Sequence, residues 1–120
     1  AHMPEIIAYT DANEYDVQTY IQLYNAAGFL MQVEVETVHK MIWQAKKPVM
    51  AIKPMAAGRL SPFVGLTFSY ATLRDQDMVV VGAHTPDEVH EDVEISLAAI
   101  ERRPPNIKKR GSPGKTVLHK

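Results

Sequence analysis

Apolar runs and helical repeats alternate three times along this chain, and that alternation limits its fold more than any other feature. In residues 17–24, Val17, Thr19, Ile21 and Leu23 fall on one face and Gln18, Tyr20, Gln22 and Tyr24 on the other, the period of a strand, with Tyr20 and Tyr24 read as packed side chains and not catalytic ones. A helix is expected to start within residues 33–37, because Val38, Met41, Ile42 and Ala45 then recur at three- and four-residue steps. Lys46 and Lys47 fall in its expected last turn and Pro48 stops it. Residues 49–53 read as the second strand, and Ser61-Pro62 opens a helix through Phe63, Leu66, Thr67, Tyr70 and Leu73 to Arg74. Met78-Val79-Val80-Val81 is the unbroken apolar run of a strand buried on both faces, ended by Gly82. Thr85-Pro86-Asp87-Glu88 spells a capping box, which predicts a helix over residues 85–102 with Val89, Val93, Leu97 and Ile100 inward. Residues 4–11 precede all of this as a short helix, with Ile6, Ile7 and Tyr9 inward.

Alternation of this kind forces a parallel sheet, since each helix is the right-handed crossover that returns the chain to the next strand. The expected fold class is therefore α/β: three βα units of a parallel sheet with a preceding short helix. Three strands bury little and leave two open edges, so a homo-oligomer is expected, a dimer through the sheet edges and the apolar sheet face.

Charge divides the chain. The net charge is −1, yet residues 101–120 hold seven Lys and Arg against Glu101 alone, which leaves an acidic body and a basic end. That end carries Pro104, Pro105, Gly111, Pro113 and Gly114 and few apolar residues, so residues 104–120 are expected to form a disordered basic tail following a domain at 4–103. The tail reads as a solubilising end against the acidic body; nucleic acid is the weaker reading of its charge. Ala1-His2-Met3 resembles a cloning scar and is set aside. There is no cysteine, which suits a cytoplasmic protein, and no apolar run long enough for a membrane span. The histidines at 2, 39, 84, 90 and 119 lack metal-ligand spacing, so no metal site is expected.

Three stretches carry a family resemblance. Pro54-Met55-Ala56-Ala57-Gly58-Arg59-Leu60 resembles the turn after the seventh strand of aldo-keto reductases. Tyr15-Asp16-Val17 through Gln22 and Tyr24-Asn25 looks like that family's sixth strand, and residues 82–92, from Gly82-Ala83-His84 to Glu91-Asp92, look like the exit of its eighth strand and its last helix. All three stand in family order over most of the chain. The resemblance implies the C-terminal portion, about half, of a TIM-type (β/α)8 barrel, an NADP-dependent oxidoreductase family, and a phosphate site in the last loops. By that likeness the cofactor-binding residues are Gln22, Lys53, Gly58, Arg59, Gly82, His84, Thr85 and Glu88. The family's catalytic aspartate, tyrosine, lysine and histidine lie in the earlier half of the barrel and have no counterpart here.

Lys53, at the end of a strand, is the one candidate catalytic group: a base, a Schiff-base nucleophile or an anion contact, against a lysine that merely snorkels into solvent. Arg59 after Gly58 can grip a phosphate or pair with an acid of the body. The free N–H groups at Thr85, Asp87 and Glu88 favour an anion, or are satisfied by their own acids. The expectation is an aldo-keto-reductase-like half-barrel with a weak phosphate- or nucleotide-binding end and no complete catalytic site. The alternatives are a self-associating interaction module without ligand chemistry, and a small enzyme using Lys53 at a dimer interface.

Overall fold

The computed structural model describes residues 2–107, so residues 108–120 of the expected basic tail lie outside the described residues. The element order is α1 (Glu5–Ala12), β1 (Tyr20–Leu23), α2 (Val35–Gln44), β2 (Val49–Ile52), α3 (Pro62–Thr72), β3 (Met78–Val80) and α4 (Pro86–Glu101). The strands form one parallel sheet in the order β1-β2-β3. The mixed α/β architecture with three parallel βα units is therefore as the alternation requires.

Register fixes which side chains share a face. Ile21 pairs with Met50 and Met50 with Met78, while Gln22 pairs with Ala51 and Ala51 with Val79. The second set faces the helices: Tyr20, Val49 and Ala51 join Ile7 of α1, Val38 and Ile42 of α2, and Leu73 in one buried cluster. The first set is uncovered, with Ile21 51%, Met78 37% and Val80 47% exposed.

In β1 the tyrosine face is the buried one, as expected of Tyr20 and Tyr24, and Leu23 on the other face is buried as well. Tyr20, Gln22 and Tyr24 are buried and Ile21 is not. The reason is reach. Each tyrosine puts its ring in the core and its hydroxyl on a polar group across the helix layer: Tyr20 donates to Asp11 Oδ1 at 2.5 Å, and Tyr24 donates to Thr72 Oγ1 at 2.8 Å. Phe68 and His39 flank the Tyr24 ring, with centroids 5.2 and 6.4 Å away. Burial first, then the Asp11 carboxylate, pushes the Tyr20 phenol up from 10 to about 12. The unfolded tyrosine thus ionises first. This contribution to stability is complete below pH 10 and is lost as pH rises to about 12. Urea midpoints measured across that range are expected to fall less steeply for Tyr20→Phe than for the parent chain; equal slopes would contradict the assignment.

Two helices turn differently from expectation. In α1 only Ile7 of the three apolar candidates is buried; Ile6 and Tyr9 are exposed. In α4 the buried residues are Asp92, Ile95 and Ala98, and Val89, Val93, Leu97 and Ile100 face outward. Helix α2 ends at Gln44, so Lys46 and Lys47 lie beyond it. Ala45 is already extended there, and the carbonyls of Ala45 and Lys47 accept hydrogen bonds from Arg74 at 2.6 and 3.0 Å.

Past α4 the chain folds back along the helix. Arg103 pairs with Glu94 at 2.6 Å, and the Asn106 N–H donates to the same carboxylate at 2.7 Å. Those two contacts hold the Glu94 carboxyl down at about 2. The first residues after the domain boundary expected at residue 103 are therefore tied to it. Among the described residues no helix is long and apolar enough to cross a membrane.

Candidate functional site at the carboxyl ends of the strands

The C-terminal ends of β2 and β3 open onto a cavity of about 860 Å³. One wall is the turn after β2. Lys53, Ala56 and Ala57 adopt left-handed backbone there, with φ of 57°, 54° and 56°, followed by Gly58 at 86°. Left-handed backbone is costly for a residue bearing a Cβ, roughly 1–2 kcal/mol each, so the surroundings must hold it in place. They do so from inside: Ala56 is fully buried, its N–H donates to the Lys53 carbonyl at 3.0 Å, and the Leu60 and Gly58 N–H groups both donate to the Met55 carbonyl at 3.1 Å. From α3, Gly65 packs so closely that a Cβ on it would lie 2.6 Å from the Pro54 carbonyl oxygen.

The facing wall is the exit of β3. Gly82, Ala83 and His84 lead into α4, whose cap is built from its own side chains. Thr85 Oγ1 accepts from the Glu88 N–H at 3.1 Å, and Glu88 Oε1 reaches back to the His84 N–H at 2.9 Å. The capping box read from the sequence is thus present, with its return bond one residue earlier than the usual pattern.

The structure brings together Lys53, Gly58, Gly82, His84 and Glu88 around this one cavity, and adds Asp92, a cavity-lining acid not among the expected site residues. Three expected residues are elsewhere. Arg59 lies over the Phe29 ring at 4.0 Å and donates to the Ala56 carbonyl at 3.2 Å, outside the cavity lining. Gln22 is fully buried beneath the helices; its Nε2 donates to the Leu23 carbonyl at 3.1 Å, and its Oε1 has no partner. The Thr85 hydroxyl is occupied as the cap, and Thr85 does not line the cavity.

The chemistry available is therefore one ammonium (Lys53), one imidazole (His84), backbone at Gly82 and Ala83, and two carboxylates, Glu88 and Asp92. No tyrosine lines the cavity among the described residues, so a phenol proton donor beside Lys53 is not supplied. Nor does any cluster of three His, Asp or Glu side chains among the described residues suit a metal ion.

The opposite end of the sheet holds a cluster that the sequence reading passed over. Asp77 accepts from Arg74 Nε at 3.0 Å and Nη2 at 2.9 Å, from the Arg74 N–H at 3.0 Å and from the Val49 N–H at 2.9 Å. The pair is buried, with side chains 9% and 0% exposed. It lies at the N-terminal end of the strands, away from the cavity. Its only sequence signal is an Arg and an Asp three apart in a connecting turn. No known family model, no curated protein and no solved structure matches this chain.

Proposed function

We propose that this protein is a partial α/β barrel unit that binds a small phosphate-bearing ligand weakly at the carboxyl ends of β2 and β3, with no complete catalytic site of its own. The observation that supports it is the convergence of Lys53 and the 82–84 loop on one cavity, at the end of a parallel sheet where ligands generally bind. The resemblance to aldo-keto reductases supports a nucleotide phosphate as the ligand, since the two stretches that resemble the family's phosphate loops form the two walls of this cavity.

The same residues set the strength. Glu88 already uses the His84 N–H, its own N–H is held by Thr85, and it lines the cavity together with the buried Asp92. An anion is left with Lys53 and the remaining loop amides. The expected dissociation constant for inorganic phosphate is about 1 mM, or roughly −4 kcal/mol. Lys53→Ala is expected to weaken it about tenfold, about 1.4 kcal/mol, and Arg59→Ala to leave it unchanged. Calorimetric titration of the two variants checks this. Equal affinity in parent and Lys53→Ala, or loss in Arg59→Ala alone, would contradict the reading.

A further inference from the structure

Helix α4 carries apolar residues on two opposite sides. Ile95 and Ala98 are buried on the side that packs against α3. Val89, Val93, Leu97 and Ile100 line the other side and are 51%, 53%, 43% and 59% exposed. They follow one another at steps of four, four and three, so they form a single stripe along a helix of 16 residues, about 24 Å long. The stripe runs into a groove of about 360 Å³ beside β3, with Tyr70, Val79 and Val81 on its far wall. A contiguous apolar surface of this kind marks an interaction site.

We infer that this stripe packs against the α4 stripe of a second copy of the chain, antiparallel about a twofold axis. The spacing of the stripe is self-complementary. A twofold near residue 95 sets Val93 on Leu97 of the second copy and Val89 beside its Ile100, so each of the four side chains meets an apolar partner, as an isologous contact demands. The charges select the same direction. Asp87 and Glu88 occupy the first turn, Arg102 follows the last, and Asp87 and Arg102 are exposed. Antiparallel pairing brings the acidic turn of one copy beside Arg102 of the other and opposes the two helix dipoles favourably. Parallel pairing would set acid against acid. Arg103 bonds to both Glu94 and Glu101, which flank the stripe, at 2.6 Å and offsets one of their two charges. None of the four stripe residues lines the cavity at the strand ends.

Four half-exposed aliphatic side chains per copy cover less than a standard interface of about 800 Å² per partner, so dissociation falls in the micromolar range. Light scattering at about 100 µM is expected to give twice the chain mass of 13.4 kDa. Leu97→Asp is expected to return the mass to 13.4 kDa with unchanged far-ultraviolet dichroism, whereas Val80→Asp on the open sheet face leaves the dimer intact. The chain has no cysteine, so single cysteines report geometry cleanly. A mixture of Val93→Cys and Leu97→Cys chains is expected to cross-link with each other in preference to themselves. A single species of 13.4 kDa, a dimer lost in Val80→Asp but not in Leu97→Asp, or cross-linking of like with like would each overturn the proposal.

Discussion

Asp77→Ala is expected to destabilise the fold by about 3–5 kcal/mol, the largest effect of any single substitution considered. The carboxylate is fully buried and accepts from two backbone N–H groups and two guanidinium nitrogens. Its loss leaves the Arg74 charge buried without a counter-ion and the Val49 and Arg74 N–H groups without acceptors. Arg74 also ties the Ala45 and Lys47 carbonyls, so the end of α2, the start of β2 and the turn before β3 are joined at this point. A domain of this size has about 5–15 kcal/mol in all, and the variant is expected to sit near its unfolding threshold at room temperature. Urea unfolding measures it directly. The double variant Arg74→Ala with Asp77→Ala should lose less than the sum of the two singles, because the second change removes the stranded charge. A loss below about 1 kcal/mol for Asp77→Ala would place the pair among ordinary surface ion pairs.

Gly65→Ala sets two known effects against each other. Alanine is favoured over glycine within a helix by about 1 kcal/mol. Here the added Cβ meets the Pro54 carbonyl oxygen at 2.6 Å, its carbon at 3.2 Å and Met55 Cα at 3.3 Å, all of them backbone. Backbone in a turn already held in left-handed conformation cannot give way cheaply, so α3 must move outward, at a cost of about 1–3 kcal/mol and occasionally more. The clash wins, and a net loss of about 2 kcal/mol is expected, accompanied by amide shifts through residues 53–58. Gly82→Ala serves as the control, since nothing lies within 4 Å of its Cβ position. Stabilisation by Gly65→Ala would show that α3 does not brace the turn.

The parts of this fold that were legible in the sequence are those set by neighbours along the chain. Ser61-Pro62 and Thr85-Pro86 start α3 and α4 because the cap hydroxyl oxygen and the N–H that donates to it are three residues apart, and both bonds form. Lys53, Gly58, Gly82, His84 and Glu88 were legible as a group because each follows the end of a strand, and strand ends in a parallel sheet meet at one rim.

Orientation was legible only in part. In β1 both alternating sets contain residues that can be buried, and the choice falls to Asp11 and Thr72, distant partners that receive the tyrosine hydroxyls. In α4 the stronger apolar stripe faces outward, because small Ala98 lies against α3 and lets the two helices approach. Arg59 turns onto Phe29 through a sequence of left-handed residues that, apart from Gly58, carry no glycine to announce them. Arg74 finds backbone carbonyls, which leave no trace in residue type.

The central claim is a ligand site at the carboxyl ends of β2 and β3, and an amide shift map during titration with inorganic phosphate tests it most directly. The amides of Lys53, Gly58, Gly82 and Ala83 are predicted to move together along one saturation curve, while those of Val49, Arg74 and Asp77 at the opposite end stay still. Stationary amides at Gly82 and Ala83, with shifts confined to Arg59, Arg102 and Arg103, would contradict it.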